Sequence, residues 1–171
     1  LIFEGEYLNG KRNGKGKEYN NLYLIFEGDY KDGKRNGKGK EYDENNLIFE
    51  GEYLKGKRWN GKGYDGDNNI IYELKNGNGY IKEYRSRSII YEGEYLNGEK
   101  NGKGKEYDYD GNIIFEGEYK DGKRNGKGKE YYNQYLKFEG EYLNGKKWNG
   151  IFYIDNKDII YELKNGKVHR I

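Results

Sequence analysis

The chain of 171 residues contains no cysteine, no methionine and no alanine. Without cysteine it can form neither a disulfide framework nor a thiolate metal site, and nothing in it requires an oxidising compartment. No apolar run approaches the length of a transmembrane helix or a secretory signal. These absences predict an intracellular, cytoplasmic protein. The missing methionine, with a pattern that starts at Leu1, predicts a piece of a longer chain.

Apolar residues are also scarce, at 33% of the chain against roughly 45–50% in ordinary globular proteins. Such a composition alone would suggest disorder. Aromatic residues argue against disorder, because they make up 17% of the chain and bury large areas at a low cost in side-chain entropy. The composition therefore favours a thin folded structure stabilised by tyrosine and phenylalanine.

One stretch, GEYLNGKRNGKGKEY from Gly5 to Tyr19, returns along the chain at intervals of 23 or 24 residues within each half. Weaker copies contain the sequence YELKNG, in which Leu74 and Leu163 replace the leading glycine. A fixed period of this length indicates an array of stacked supersecondary repeats. The leading glycines of the six strong copies are Gly5, Gly28, Gly51, Gly93, Gly117 and Gly140.

The eight repeats fall into two blocks of four, because corresponding residues such as Gly28 and Gly117 lie 89 residues apart. We predict one repeat array over residues 1–171, with a first block at residues 1–84 and a second at residues 85–171. Each repeat in such an array is stabilised by contact with its neighbours.

Residues within a repeat alternate with the period of two that is typical of a half-buried strand. Phe3, Gly5 and Tyr7 fall on one face, and the intervening glutamates fall on the other. A six-residue loop over residues 9–14 is predicted to lead into a second strand. Frequent glycine and the absence of alanine disfavour helix. We predict an all-β fold, an elongated single-layered antiparallel meander of tandem hairpins with about sixteen strands.

Glycine and tyrosine are the predicted structural positions of the repeat. Gly5, Gly14 and Gly16 should leave spaces in which aromatic rings of adjacent strands lie against the backbone. The predicted positions are Gly5, Tyr7, Gly14, Gly16, Gly28, Tyr30, Gly37, Gly39, Gly51, Tyr53, Gly93, Tyr95, Gly117, Tyr119, Gly140 and Tyr142.

The segment FEGEYLNGKRNGKG, Phe3 to Gly16, resembles the MORN repeat, whose consensus runs close to YEGEWKNGKRHGKG. Tyrosine stands where tryptophan is common, and asparagine stands where histidine is frequent. The resemblance implies an elongated single-layered sheet used for assembly, often by dimerisation, and for contact with membranes or cytoskeleton. In the family that this segment resembles, such arrays also occur attached to enzymes such as lipid kinases. Full-strength repeats begin at Gly5, Gly28, Gly93 and Gly117, loop-lengthened repeats at Gly51 and Gly140, and degenerate repeats at Leu74 and Leu163.

Short motifs that could support catalysis are better explained as structure. Glu4 and Glu6 form an acidic pair of the kind a glycoside hydrolase uses, yet such a pair recurs in every strong repeat. Residues 56–62 have the GxxxxGK spacing of a P-loop but lack its serine or threonine and its helix. His169, the single histidine, has no partner for a metal site or a triad. We predict no enzymatic activity, no cofactor, no metal site and no small-molecule substrate.

Positive charges cluster in the predicted loops, although the chain has 32 basic and 30 acidic residues. If the loops share one edge of the meander, these clusters form a row, for which three interpretations remain open. The row can be a solvated edge that prevents sheet pairing, a site for an acidic protein, or a site for anionic lipid headgroups. The residues are Lys11, Arg12, Lys15, Lys34, Arg35, Lys38, Lys57, Arg58, Lys62, Lys123, Arg124 and Lys127.

Trp59 and Trp148 occupy equivalent places in the two blocks and are predicted to lengthen the loop by one residue. They are interpreted either as local plugs or as contact points for a partner. Nucleic acid is not an expected partner, because the aromatic residues belong to the buried face. We predict a non-catalytic scaffold for a protein partner or a homodimer, with a membrane or the cytoskeleton as its candidate location. The alternatives are an adaptor that binds anionic phospholipid and the targeting region of a larger enzyme.

Overall fold

The structure is a computed structural model that describes residues 2–154 and 158–170. The described residues form sixteen strands and no helix, as predicted. The predicted ends of the array, Leu1 and Ile171, lie outside the described residues. The strands are β1 (Ile2–Leu8), β2 (Lys11–Asn20), β3 (Tyr23–Lys31), β4 (Lys34–Asp43), β5 (Asn46–Leu54), β6 (Lys57–Tyr64), β7 (Ile70–Leu74), β8 (Gly79–Arg85), β9 (Ser88–Leu96), β10 (Glu99–Tyr107), β11 (Ile113–Lys120), β12 (Lys123–Tyr132), β13 (Tyr135–Leu143), β14 (Lys146–Ile154), β15 (Asp158–Lys164) and β16 (Lys167–Arg170).

The strands form two antiparallel sheets in which sequence neighbours are also neighbours in space. One sheet contains β1–β7 and the other contains β8–β16, so the meander is divided into two sheets. β7 and β8 are joined only by the single bridge between Lys75 and Asn78 beside their turn. By compactness the chain divides into a first unit, Leu1–Arg87 with Tyr95–Gly98, and a second unit, Ser88–Glu94 with Glu99–Ile171.

Turns of two residues connect the strands of each hairpin. In the first hairpin Asn9 and Gly10 have φ values of 50° and 73°, the left-handed conformation that asparagine and glycine tolerate. β2 starts directly after them at Lys11, so the predicted six-residue loop is wrong. The additional residues form a β-bulge instead, because Gly5 pairs with Gly16 whereas Tyr7 pairs with Arg12.

The hairpins that contain tryptophan are one residue shorter than the full-strength hairpins, not longer as predicted. Gly51 pairs with Gly61, ten residues later, whereas Gly28 pairs with Gly39, eleven residues later. Trp59 is the extra residue of its bulge, since Asn60 pairs with Glu52. The repeats were compared through the first glycine after the basic pair, which matches Gly61 with Gly14. In the structure Gly61 is equivalent to Gly16, the glycine that pairs across the hairpin.

Each sheet has two faces, which we call the ring face and the charged face. In β3, for example, Phe26 and Tyr30 lie on the ring face, and Glu27 and Asp29 lie on the charged face. The paired glycines of neighbouring strands lie beneath the rings. A methyl group at Gly39 would come within 2.5 Å of Cζ of Phe26. The predicted spaces are therefore confirmed at glycines that pair with another glycine, such as Gly5 and Gly16.

The space predicted beside Gly14 is different. A methyl group there would strike the carboxylate of Glu6 rather than a ring, and the φ of Gly14 is 78°. Glycine is required because the bulge is left-handed at this residue. The Glu6 carboxylate accepts a hydrogen bond from the backbone N–H of Lys15 at 3.2 Å. Gly37 and Gly126 are also left-handed and lie against Asp29 and Glu118.

Leucine ends the row of paired glycines in both sheets. Gly61 pairs with Leu74 in β7, and Gly150 pairs with Leu163 in β15. Both leucine side chains are buried, at 2% and 5% exposure. They fill the space that glycine leaves for a ring elsewhere, so the degenerate repeats end the row of glycines.

Candidate interaction surface

The ring face is closed by its own side chains. Phe26, Phe49, Phe115 and Phe138 are 0% exposed. The rings of Phe26 and Phe115 meet the tyrosine of the following repeat edge-on, with centroids 5.0 Å from Tyr53 and 5.3 Å from Tyr142. Phe49 instead stacks on Tyr72 at 6.4 Å. Of the predicted tyrosines, Tyr30, Tyr53, Tyr119 and Tyr142 are buried, Tyr95 is half-buried and Tyr7 is exposed.

Arginine side chains cover the rings. The guanidinium of Arg35 lies 4.0 Å from the ring centroid of Phe26, and that of Arg124 lies 4.0 Å from that of Phe115. This distance fits a cation–π contact. Arg12 and Arg58 are placed in the same way over Phe3 and Phe49.

Carboxylates on the ring face fix the arginines. Glu41 accepts hydrogen bonds from Arg58 Nε at 2.9 Å and Tyr53 Oη at 3.0 Å, and it lies 3.3 Å from Arg35 Nη1. Burial alone would raise the pKa of Glu41, but the charges of Arg58 and Arg35 outweigh it and hold the pKa below its ordinary value. Glu106 is held in the same way by Arg124 and Tyr119.

The predicted placement of the arginines in exposed loops is therefore wrong. Arg12, Arg35, Arg58 and Arg124 lie in strands, and their side chains are 26%, 19%, 18% and 25% exposed. The reason is the two-residue turn, which places the basic pair in the strand beside the rings. The glutamates that hold these arginines are not among the residues predicted from the sequence. Their signal is the recurring GKGKE segment, which contains Glu18, Glu41, Glu106 and Glu130.

The predicted lysines are divided between two locations. Lys11, Lys34 and Lys123 are exposed directly after the turns, and Lys57, at the same place in β6, is half-buried. The others lie on the charged face, where they are exposed at Lys15, Lys38, Lys62 and Lys127.

Strands on the charged face alternate in the sign of their charge. β2 carries Lys15 and Lys17, whereas β3 carries Glu27 and Asp29. Ion pairs join lysine strands to the acidic strands that follow them, as between Lys15 and Asp29 at 3.1 Å. The same pairing occurs for Lys17 with Glu27, Lys40 with Glu50, Lys62 with Glu73 and Lys129 with Glu139, at 3.8, 3.3, 3.7 and 3.3 Å.

A groove of about 770 Å³ crosses the charged face of the first unit from β1 to β5. Its floor is the backbone of the paired glycines, whose missing side chains would point toward the ring face rather than into the groove. Its walls are the alternating rows of lysine and acidic residues. The lining residues are Glu4, Gly5, Lys15, Gly16, Lys17, Glu27, Gly28, Lys38, Gly39, Lys40, Glu50, Gly51 and Glu52.

The two tryptophans lie against the turn of the following degenerate repeat. A methyl group at Gly77 would come within 2.9 Å of Cε3 of Trp59, and one at Gly166 would come within 3.4 Å of Cζ3 of Trp148. These contacts fit the interpretation of the tryptophans as local plugs. Trp148 remains 37% exposed and lines a cleft of about 440 Å³ in the second unit with Lys127.

The described residues offer little for catalysis. They contain no group of three histidine, cysteine or acidic residues that could hold a metal ion. Asp65 accepts hydrogen bonds from the backbone N–H groups of Asp67 and Asn69 at 3.0 and 2.9 Å, which identifies a turn. His169 is exposed on β16. No helix in the described part of the chain has the length and apolar character needed to cross a bilayer.

Comparison with known proteins supports the repeat assignment. The family model described as MORN repeat matches residues 3–21, 26–47, 91–113 and 115–135, which contain the four full-strength repeats. A search of curated proteins found no match. MORN repeats are a non-catalytic repeat type associated with protein and membrane interactions. With its tandem hairpins and these four matched segments, the chain belongs to the MORN repeat family.

Proposed function

We propose that the chain is a non-catalytic scaffold that binds a protein partner on the charged face of its first unit. The observation that supports this proposal is the groove of about 770 Å³ across β1–β5.

The distribution of exposed groups favours the charged face over the ring face. The side chain of Lys15 is 83% exposed and that of Lys17 is 50% exposed, so both can contact a partner. On the ring face the phenylalanine rings are already covered by arginine side chains. A partner there would have to displace buried ion pairs, which is costly.

Repetition of the charged groups argues for a scaffold rather than an enzyme. An active site requires one arrangement of unlike groups, whereas the acidic pair at Glu27 and Asp29 is repeated in each strong repeat. Equivalent groups at regular steps provide an extended surface with many similar contacts.

Site-specific photocrosslinking of the full chain tests the proposal. A photoreactive residue replaces Lys38, which lines the groove, and a control replaces Leu22, which is 94% exposed in a turn. In extracts of the source cells we expect a discrete adduct from position 38 but not from position 22. Excess wild-type chain should prevent the adduct, whereas a chain with Lys15→Glu and Lys40→Glu should not. Absence of an adduct, or equal adducts from both positions, would contradict the proposal.

Binding to a membrane is the second candidate function. Only the exposed lysines could support it, because the arginines lie against the rings. Lys11, Lys34 and Lys123 are exposed beside the turns, where each could contribute about 1 kcal/mol near an anionic surface. We expect flotation with vesicles that contain phosphatidylserine to be lost when these three lysines become glutamate. Flotation that is absent at low salt in the wild-type chain would exclude this candidate.

A further inference from the structure

We infer that Ser86 is a phosphorylation site, and that a phosphate there releases the turn of residues 85–88 from the turn of residues 43–46. The enzyme implied is a serine kinase that recognises arginine beside its target, with ATP as the phosphate donor. The inference is independent of the charged face and of the partner proposed for it. It is argued from the exposure of Ser86, from its flanking arginines and from its two acidic hydrogen-bond acceptors.

Aliphatic hydroxyl groups occur at one place in the chain. Ser86 and Ser88 are its only serines, and it contains no threonine. Both lie where β8 leads into β9. Ser86 is exposed, whereas Ser88 is half-buried and its Oγ donates to the backbone carbonyl of Tyr109 at 3.4 Å. The structure therefore presents Ser86 rather than Ser88 to a kinase.

Exposed arginines flank this hydroxyl group. Arg85 and Arg87 lie on either side of Ser86, and both are exposed. Guanidinium groups bind carboxylates with paired N–H donors, so a kinase with acidic residues around its substrate groove recognises this segment. The exposed hydroxyl of Tyr109 has the opposite surroundings, because Asp108 and Asp110 flank it in the sequence. A kinase that selects arginine would reject that turn.

The turn that contains Ser86 is held by two carboxylates of another turn. The backbone N–H of Ser86 donates to Oδ2 of Asp43, and Oγ of Ser86 donates to Oε1 of Glu44 at 3.3 Å. Both turns belong to the first unit, although the bonded residues are 43 and 42 positions apart in the sequence. The contact at Glu44 therefore depends on the hydroxyl proton that phosphorylation removes.

The backbone of this turn also depends on its contacts. Ser86 and Arg87 have φ values of 48° and 67°, in the left-handed region. Neither residue type favours this region, in contrast to the asparagine and glycine that form the other type of turn in this chain. Loss of the bonds to the acidic turn should therefore allow residues 85–88 to open.

Phosphorylation joins Oγ of Ser86 to the γ-phosphorus of ATP. The bond between that phosphorus and the oxygen bridging to the β-phosphate breaks, ADP leaves, and the hydroxyl proton passes to the catalytic base of the kinase. The product has no Oγ–H to donate to Glu44, and it carries about 1.5 to 2 negative charges at pH 7. These charges lie beside the carboxylates of Asp43 and Glu44, so repulsion releases the turn.

The flanking arginines supply new partners for the phosphate. Guanidinium groups bind phosphate with paired N–H donors, as they bind carboxylate. In the unmodified chain the side chain of Arg87 lies beside another turn, because a methyl group at Gly66 would come within 3.4 Å of its Cγ. Arg85 and Arg87 therefore serve first in recognition by the kinase and then in stabilising the released, phosphorylated turn.

Phosphorylation of the 171-residue chain in vitro tests the site. The enzyme is a kinase specific for arginine–serine dipeptides, supplied with ATP and Mg²⁺. Wild type is compared with Ser86→Ala and Ser88→Ala, and mass spectrometry locates the phosphate. We expect Ser86→Ala to reduce the initial rate of incorporation about ten-fold or more, and Ser88→Ala to retain the wild-type rate. Circular dichroism establishes that each variant is folded.

NMR of the Ser86 amide tests the release. Its hydrogen exchange with water should become about five-fold or more faster after phosphorylation, because the N–H loses the carboxylate of Asp43. A chain with Asp43→Ala and Glu44→Ala is the control. Its Ser86 amide should exchange rapidly before phosphorylation and change little afterwards.

Three results would overturn the inference: no incorporation of phosphate into the wild-type chain, phosphate at Ser88 rather than Ser86, or exchange at the Ser86 amide that phosphorylation leaves unchanged. The proposed function is tested separately, because the photocrosslinking position, Lys38, lies on the charged face and not in this turn.

Discussion

Gly39 has no room for one additional carbon atom. Its neighbours on the ring face are Cζ of Phe26 at 2.5 Å and Cε2 at 2.7 Å from the position of an added methyl carbon. Phe26 cannot move away easily, because it is fully buried. The paired glycines therefore determine where the rings lie.

We expect Gly39→Ala to lower the free energy of unfolding by about 1–3 kcal/mol, the usual cost of overpacking a core. Gly66→Ala is the matched control, because an added methyl there meets only Arg87 Cγ at 3.4 Å, an ordinary contact. Urea denaturation measures both. Equal stability of the two variants would contradict the seating of the Phe26 ring on glycine.

Glu41 predicts how stability depends on pH. Its pKa is held below the ordinary value of 4.5 by Arg58 and Arg35 against the opposing effect of burial. Below pH 4.5 the unfolded chain therefore binds more protons than the folded chain, and the free energy of unfolding should fall as the pH falls through the folded pKa. Each ten-fold change in the proton affinity corresponds to about 1.4 kcal/mol.

Thermal unfolding between pH 7 and pH 3 measures this dependence. Glu41→Gln should lose part of it, because the titrating group is absent, and should be less stable than wild type at pH 7. A variant with the full pH dependence of the wild-type chain would show that Glu41 does not contribute.

The arginines show where prediction from sequence reached its limit. The alternation of Phe3, Gly5 and Tyr7 correctly assigned the two faces, because a period of two allows only one arrangement. The run KRNG is equally typical of a loop and of a strand with a bulge, since asparagine and glycine favour both. Contact with the rings selects the strand, and this contact is not visible in local sequence.

Asparagine side chains form hydrogen bonds that connect consecutive hairpins at their turns. The backbone N–H of Lys55 donates to Oδ1 of Asn36 at 3.1 Å, and the N–H of Gly56 donates to the carbonyl of Arg35 at 2.8 Å. The same pair of bonds recurs in the second unit, where Asn144 donates to Asn125 and Gly145 donates to Arg124. The asparagine of the RNG segment therefore connects one repeat to the next.

We expect Asn36→Ala to accelerate amide exchange at Lys55 and to cost about 1 kcal/mol of stability, the usual value of one hydrogen bond. Asn20→Ala is the control, because Asn20 is exposed at the end of β2. Hydrogen exchange followed by NMR measures both variants. Unchanged exchange at Lys55 in Asn36→Ala would contradict this role.

The repeats themselves made the hairpins predictable. Six copies of one pattern predicted that strands adjacent in sequence pair with one another, and the structure has this order. Division into two sheets was not predicted. The division occurs because β7 and β8 share only one bridge, Lys75 with Asn78, instead of a full ladder. The sequence shows only that this repeat is degenerate.

Stability should vary along each sheet of this protein. In an array each repeat is held by its neighbours, so outer strands have fewer stabilising contacts than inner ones. Tyr7 in β1 is 59% exposed, whereas its equivalents Tyr30 and Tyr53 are 4% and 3% exposed. Every residue of β16 is exposed.

We expect amides of β1 and β16 to exchange about ten-fold or more faster than those of β4 and β12, as local opening predicts. Hydrogen exchange with mass spectrometry measures this gradient in the 171-residue chain. Uniform protection across all strands would instead indicate that each sheet opens as a single cooperative body.

Leu74 and Leu163 bear on how such a protein grows by duplication. A new hairpin can be inserted within a glycine row whenever its own glycine falls in register with the strands on either side. At either leucine no ring can lie on the backbone, because the leucine side chain already occupies that place. The 89-residue duplication copied this leucine with the strands, so each block of four repeats carries its own end of the glycine row.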